Sequence, residues 1–216
     1  MPTLVPDKLT PLTLEQACEA FADGYSLALL EDPLPACLAV LVAHSALETG
    51  NWKSMHCNNA GNVKASSTWS GDYCMFRCNE VIGGKVVWFD PPHPQTWFRA
   101  FPTAATGMAE QVRFLSMRSR YAQAWLRAKA GDPEGFVREL AKAGYFTAAV
   151  EPYVRAVVSL TVKILPVATR VVAQEHHGVD DALREHVEGL AMLTLDQQRR
   201  GELDDGAEAD RLEKVT

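Results

Sequence analysis

Residues 35–50 read PACLAVLVAHSALETG and form a nearly uninterrupted apolar segment. It is apolar on nearly every face that a helix would present, which is typical of a helix buried on all sides. Pro35 suits the first turn of a helix, and Gly50 suits the position just past its end. The segment therefore predicts a central buried helix over about 35–49, with Glu48 in its last turn.

Helical patterns flank this segment on both sides. Thr13 followed by Gln16 has the form of a capping box and predicts a helix to about residue 30. Helical spacing of apolar residues returns at about 103–117, 121–130, 133–143 and 151–172. Between them, residues 80–89 read EVIGGKVVWF, a hairpin signal within a stretch rich in Gly, Asn, Ser, Pro and aromatic residues. The chain is therefore expected to be α+β and mainly α, with a small β-hairpin insertion.

The position of Glu48 suits an acid catalyst. Helix walls withdraw a carboxyl from water, and the negative end of a helix dipole does not stabilise a carboxylate, so both effects favour the protonated acid. A Gly- and Asn-rich loop follows and would admit a sugar chain. An exposed glutamate at a helix end, with no chemical role, is the alternative that these residues alone leave open.

Short motifs recur in order between residues 35 and 165. They are ALETG at 46–50, NNAGNVKA at 58–65, WSG at 69–71, CNE at 78–80 with GK at 84–85, FRAF at 98–101, and AGY at 143–145 with PY at 152–153. This series resembles glycoside hydrolase family 73, the lysozyme-like glucosaminidases that cut peptidoglycan. The resemblance implies a lysozyme-like helical domain that cleaves β-1,4 bonds on the N-acetylglucosamine side.

The resemblance also implies roles for individual residues. Glu48 becomes the general acid, and Glu80 becomes the second carboxylate, on a hairpin expected to be mobile and more exposed than Glu48. Tyr145 would orient the substrate or stabilise the oxocarbenium-like centre. The residues expected to line the sugar groove are Asn59, Lys64, Trp69 and Tyr153. By residue type, Trp69 suits the core equally well, and Lys64 suits a solvated surface.

Two departures from the family pattern affect these assignments. Gly61-Asn62 stand where family members read F-G, and we expect the turn to survive because asparagine tolerates left-handed backbone. The segment GYFTAAVEP at 144–152 is longer than the family's G-Y-A-T-D-P and lacks its Asp. The position of Tyr153 is therefore less well defined than that of Tyr145.

Charge divides the chain into two parts. Residues 1–173 hold 16 Lys/Arg and 15 Asp/Glu, whereas residues 174–216 hold 5 and 12. We predict a lysozyme-like glucosaminidase domain over 1–173 and an acidic, partly helical C-terminal tail over 174–216. A near-neutral body with an acidic tail argues against nucleic-acid binding. The tail suits a basic docking surface on a partner better than an anionic glycan.

The N-terminal residues do not have the pattern of a secretory signal. Residues 1–13 lack its basic start and apolar block, and no apolar run reaches the ~18–20 residues that cross a bilayer. We expect a chain made in the cytoplasm, with no membrane span, that acts in the periplasm or cell wall. A phage tail, another particle or a breach of the membrane would bring it there, so a phage-type family member is expected.

The cysteines leave alternatives open. Cys18 and Cys37 fall in apolar helical patterns, typical of buried free thiols. By ligand type, a zinc ion would suit a set made of His56, Cys57, Cys74 and Cys78, although their spacing is not that of a zinc knuckle. A disulfide among the last three is favoured over zinc if the protein works outside the cytosol.

The sequence thus predicts a peptidoglycan hydrolase that needs no cofactor and no metal. One alternative is a non-catalytic lysozyme-like component of a particle that binds peptidoglycan. Another is a muramidase or lytic transglycosylase that uses the same acid. The second half of the reaction also stays open, between Glu80 as base, Glu80 as nucleophile, and attack by the substrate's own N-acetyl group.

Overall fold

The apolar segment at 35–50 forms helix α2, Pro35–Glu48, in the computed structural model, which describes residues 2–146 and 149–175. Pro35 occupies the first turn, where its missing N–H costs no hydrogen bond. All ten residues from Cys37 to Ala46 are buried. Burial on every face explains why the segment is apolar without a helical period, and it makes α2 the centre of the core.

The other predicted helices are present, with ends shifted by at most three residues. They are α1 (Leu14–Leu29), α3 (Ala104–Ser116), α4 (Ala122–Lys129), α5 (Pro133–Lys142) and α6 (Val150–Glu175). The capping box of α1 forms as predicted, because the Thr13 and Gln16 side chains each accept a hydrogen bond from the other's backbone N–H. The mainly helical α+β class is confirmed. Of the tail expected over 174–216, everything from His176 onward lies outside the described residues.

Helix α6 packs along α2 and contributes Val157, Ile164 and Ala168 to the core. Over Val150–Gln174 it is long and apolar enough, by length and composition alone, to cross a membrane. The sequence led us to expect no such segment, because charged residues such as Arg155 and Lys163 interrupt every apolar run. The core helix of a folded domain meets the same criterion, and α6 buries one face against the core, with 33% of its most apolar window buried.

The strands form two small antiparallel pairs. Strands β2 (Cys78–Ile82) and β3 (Lys85–Phe89) are the predicted hairpin, with left-handed glycines at 83 and 84 as its turn. Strands β1 (Tyr73–Met75) and β4 (Trp97–Arg99) form a second pair that the sequence did not predict. Each has three residues, and they are far apart in the chain, so no local alternation revealed them. The N-terminal segment lies beside β1, through a bridge between Leu4 and Tyr73.

Helix α3 packs directly on the loop that follows α2. A Cβ placed on Gly107 would lie 1.8 Å from the carbonyl oxygen of Asn58. The Asn58 side chain in turn donates to the carbonyl of Phe101, just before α3, at 2.9 Å. Glycine at 107 therefore sets how closely α3 approaches the loop.

We predict that Gly107→Ala destabilises the protein, although alanine is normally better than glycine inside a helix by about 1 kcal/mol. The clash should instead lower the free energy of unfolding by about 1–3 kcal/mol, measured by denaturant titration. Ser116→Ala in the same helix is the control. It removes a buried hydroxyl that has no hydrogen-bond partner among the described residues, so its effect should be within about 0.5 kcal/mol. Equal stability of Gly107→Ala and wild type would contradict the close approach.

Candidate active site

Glu48 lies at the C-terminal end of α2, where the buried helix gives way to the loop at 49–65. Its side chain is 23% exposed. The loop folds back onto the helix end, because Nδ2 of Asn62 donates to the Glu48 carbonyl oxygen at 2.7 Å. Asn62 has a φ of 48°, so the expected left-handed turn is present. The sequence did not identify Asn62 as a site residue, and its departure from the family pattern was the one available signal.

Tyr153 contacts the Glu48 side chain directly. It lies in the first turn of α6, and its hydroxyl donates a hydrogen bond to Oε1 of Glu48. The ring is held by Phe146, which stacks on it with ring centroids 4.1 Å apart. Burial, followed by the Glu48 charge, raises the pKa of Tyr153, so the phenol stays protonated as a donor. We expected Tyr153 to line the sugar groove, but the structure places its hydroxyl on the candidate acid.

Tyr145 reaches the same region through the turn after α5. Gly144 is left-handed, with a φ of 68°, and the Tyr145 N–H donates to the carbonyl of Leu140 at 3.0 Å. This is a Schellman helix end, and it turns the chain back toward α2. The Tyr145 ring meets the ring of His44 edge-on, with centroids 5.1 Å apart. Burial raises the pKa of Tyr145, and the nearby Glu48 charge raises it further.

His44 lies one turn before Glu48 and is fully buried. Its Nε2 is 3.7 Å from Oε1 of Glu48, and its Nδ1 is 3.2 Å from Nε2 of Gln111 in α3. Burial lowers the pKa of His44 more than the Glu48 charge raises it, so the imidazole is neutral. If the Gln111 amide donates to Nδ1, the ring proton lies on Nε2 and faces Glu48. Gln111 was not predicted, although it is a lone polar residue on the apolar face of α3.

Glu80 lies in a separate cluster of contacts, on the hairpin. Its Oε1 forms an ion pair with Lys64 Nζ at 3.0 Å, and the Glu80 side chain is 41% exposed. Glu80 is therefore more exposed than Glu48, as predicted. Lys64 also donates to the Gln95 carbonyl and lies 4.2 Å from the Phe98 ring centroid. This lysine thus links the hairpin to β4, rather than standing free in solvent.

The two remaining groove candidates differ in exposure. Asn59 is 2% exposed, and its amide nitrogen donates to the carbonyls of Val63 and Arg99. With its hydrogen bonds used internally, Asn59 shapes the loop from within instead of lining the groove as we expected. Trp69 is partly exposed, and the Arg99 guanidinium lies 4.2 Å from its ring. Of these two residues, Trp69 is the one that is partly open to solvent.

The four residues weighed for zinc do not converge. His56 pairs with Asp7, with Nδ1 and Oδ1 2.7 Å apart. Cys78 donates to the Gln95 carbonyl at 3.2 Å, while Cys57 and Cys74 lie together near Asp7. All five cysteines are free thiols. The alternative zinc set of His56, Cys57, Cys74 and Cys78 therefore does not form in the structure, because Cys78 is hydrogen-bonded to Gln95 and Lys64 instead.

The chain matches a known protein family and is similar in sequence to proteins of that kind. Residues 32–166 match the glucosaminidase family model, described as mannosyl-glycoprotein endo-beta-N-acetylglucosaminidase. The chain is 33% identical over 114 residues to the peptidoglycan hydrolase FlgJ of Pseudomonas aeruginosa, covering 50% of this chain and 27% of that protein. It is 28% identical over 144 residues to FlgJ of Vibrio parahaemolyticus, covering 64% and 43%. The chain thus spans less than half the length of these relatives.

One solved structure bears on the fold. The catalytic domain of the autolysin Auto from Listeria monocytogenes superposes with a TM-score of 0.52 at 17% identity. The match covers 75% of this chain and 89% of that domain. The similarity concerns the fold, and it confirms the lysozyme-like helical class that the sequence predicted.

We predict that His44 makes stability depend on pH in a way that His44→Gln does not. An unfolded histidine binds a proton below its ordinary pKa of 6.5, whereas burial lowers the pKa in the folded protein. Above pH 6.5, His44 is neutral in both the folded and the unfolded chain, and the free energy of unfolding is at its full value. Below pH 6.5, the unfolded chain binds a proton that the folded chain does not, so the free energy of unfolding falls. Between pH 7 and 5, the wild-type free energy of unfolding should fall more steeply, by up to about 1.4 kcal/mol per pH unit.

Denaturant titrations of both proteins across that pH range provide the measurement. The variant keeps Glu48, Tyr145 and Tyr153, the titratable groups that contact His44, so the difference between the two slopes isolates the imidazole. Parallel pH dependence in the two proteins would mean that His44 is not held neutral by burial.

Proposed function

Because this chain belongs to the glucosaminidase family, we propose that it hydrolyses β-1,4 glycosidic bonds of peptidoglycan on the N-acetylglucosamine side. The observation that carries the proposal is the environment of Glu48. Its carboxyl lies at the end of a buried helix, and it meets one phenol donor and one neutral imidazole. The FlgJ relatives are peptidoglycan hydrolases by name, which supports the choice of substrate.

Glu48 acts as the general acid in this proposal. It transfers its proton to the leaving glycosidic oxygen, and the bond from that oxygen to the anomeric carbon breaks. The carboxylate left behind then accepts the hydrogen bond from Tyr153, and Nε2 of His44 faces the same oxygen. A fixed phenol donor therefore meets the charge as it develops on Glu48, without reorganising water.

Tyr145 and Trp69 contact the sugar in this proposal. Tyr145 is a neutral phenol beside the acid, so it can orient the substrate or stabilise positive charge on the ring without competing for the proton. Trp69 is a partly exposed aromatic residue of the loop after α2, and aromatic rings are surfaces on which sugar rings pack. Lys64 and Asn59 act indirectly, by holding the hairpin and the loop.

The hairpin determines the second half of the reaction. Glu80 starts in an ion pair with Lys64, so it must leave that lysine before it can activate water or attack the anomeric carbon. Closure of the hairpin over the glycan would supply the movement. If Glu80 stays on Lys64, the N-acetyl group of the substrate is the nucleophile.

We further propose that the enzyme works in the periplasm or cell wall and is delivered by a phage tail or another particle. The support is the charge of residues 174–216, with 5 basic and 12 acidic residues, which suits a basic docking surface. Truncation after Glu175 keeps all of α6 that the structure describes. The truncated chain should cleave soluble glycan fragments but lose association with the particle. Unfolding of the truncated chain would make the tail part of the core instead.

Glu48→Gln should reduce the release of reducing ends from purified sacculi by about 10²–10⁴-fold, because no proton donor remains at the leaving oxygen. The change keeps the side chain's size, so the thermal unfolding midpoint should stay close to that of wild type. Glu139→Gln is a matched control, since Glu139 also lies near the end of a helix and is 21% exposed. Near-normal activity of Glu48→Gln would remove Glu48 as the acid.

Glu80→Gln separates the two routes for the second step. If Glu80 handles water or attacks the sugar, kcat should fall by roughly 10²-fold or more, with a smaller change in KM. If the N-acetyl group attacks, kcat should fall only a few-fold. Lys64→Met is the companion variant, because it frees Glu80 from its ion pair while leaving the carboxylate in place. Steady-state kinetics on a soluble glycan provides both constants.

A further inference from the structure

Two buried thiols meet at the two ends of one loop. Cys57 lies in the turn region after α2, Cys74 lies in β1, and their Sγ atoms are within 4.8 Å of each other. Their exposed fractions are 7% and 0%. Phe98 and Ala100 pack around them in a small apolar cluster separate from the main core. Two sulfurs this close in the folded chain can bond after small side-chain rotations.

Of the other three thiols, two lie in the main core, and Cys78 packs at the edge of the same apolar cluster with its sulfur in hydrogen bonds to other groups. Cys18 and Cys37 are buried in α1 and α2, within the main core. Cys78 donates to the Gln95 carbonyl at 3.2 Å and accepts from Lys64 Nζ at 3.4 Å. The pairing that the sequence left open among three loop cysteines therefore narrows to Cys57 with Cys74.

We propose that Cys57 and Cys74 form a disulfide that closes the loop 57–74 when the enzyme enters an oxidising compartment. The compartment rests on the proposed function, which places the enzyme in the periplasm or cell wall, where disulfides persist. The cross-link itself rests on the geometry of the two thiols alone.

Both anchor points are already fixed by the backbone. The Cys57 N–H donates to the Lys8 carbonyl at 2.8 Å, and the Phe101 N–H donates to the Cys57 carbonyl at 3.0 Å. Cys74 pairs with Phe98 in the β1–β4 ladder. A bond between two fixed points requires little rearrangement of the native backbone, and it restricts the unfolded chain, so it stabilises the fold.

The closed loop contains residues that shape or line the sugar-binding side of the candidate site. Asn59, Lys64 and Trp69 lie within it, and so does Asn62, which holds the end of α2 at Glu48. Closing this loop covalently limits how far the groove can open. The cross-link therefore pre-organises the sugar-binding side of the site without touching the acid itself.

The oxidant is a small disulfide such as oxidised glutathione. The Cys57 thiolate, on the more exposed of the two residues, attacks it, forms a mixed disulfide and releases one glutathione thiol. The Cys74 thiolate then attacks the Cys57 sulfur, and the second glutathione thiol leaves. The protein loses two protons and two electrons, and the glutathione disulfide gains both.

A thiophilic metal ion is the competing occupant of this cluster. A carboxylate oxygen of Asp7 lies within 4.8 Å of both sulfurs. The disulfide is favoured because the described residues supply three ligands, whereas a structural zinc site uses four, and because apolar side chains surround the thiols.

The test refolds the full chain in a glutathione redox buffer and maps its peptides by mass spectrometry without reduction. The expected result is one linked peptide pair containing Cys57 and Cys74, with the other three thiols free. The cross-linked protein should unfold about 5–10 °C higher than the same protein after reduction. Cys78→Ser should keep both results, whereas Cys74→Ser should lose both. Comparing oxidised and reduced wild type needs no variant, so a misfolded variant cannot obscure the answer.

Three outcomes would overturn the proposal. They are free thiols at both positions after refolding, a linkage that includes Cys78, and retention of one equivalent of zinc that Asp7→Asn abolishes. Glycan cleavage is measured separately, so failure of the cross-link leaves the hydrolase proposal standing, and failure of hydrolysis leaves the cross-link standing.

Discussion

Glu48 is useful because α2 is buried on every side and yet ends with this residue partly open to solvent. Ten consecutive buried residues fix the helix in the core, and the last turn then has to end without burying its free carbonyl groups. Asn62 satisfies one of them, at Glu48 itself, and the Asn51 N–H satisfies another by donating to the Ala46 carbonyl at 2.7 Å. The loop is folded by the same hydrogen bonds that end the helix, so the acid and its groove are built together.

The polar groups around Glu48 come from four different elements. His44 belongs to α2, Gln111 to α3 and Tyr153 to α6, and Tyr145 follows α5. Burial keeps the imidazole and both phenols neutral, so Glu48 is the charged member of the group when it is ionised. Of these neutral groups, Tyr153 donates a hydrogen bond to the Glu48 carboxylate, and none of the four competes for its proton. Glu80, on the hairpin, is held by a separate and more exposed ion pair with Lys64 of the loop after α2.

Local patterns predicted the helices and the hairpin, because each depends on residues close together in sequence. Glu48 was proposed as the acid from the ordered series of motifs between residues 35 and 165, since its own position left a non-functional glutamate open. The β1–β4 pair, Asn62 and Gln111 were missed because each depends on contacts between distant segments. The role of Asn59 could not be read from its residue type, because an asparagine suits a sugar contact and a buried structural position in a loop equally well. Its three hydrogen bonds within the protein favour the structural position. The alternative zinc set could not be decided from the sequence for a similar reason, because spacing along the chain does not show that Cys78 is hydrogen-bonded to Gln95.

The most direct test of this account is the chemical identity of the new chain ends made from purified sacculi. Soluble products would be reduced with borohydride, digested to muropeptides and identified by mass spectrometry. The account predicts reduced N-acetylglucosamine at the new ends, formed by wild type and absent with Glu48→Gln. Reduced N-acetylmuramic acid, or a 1,6-anhydro sugar, at those ends would contradict it.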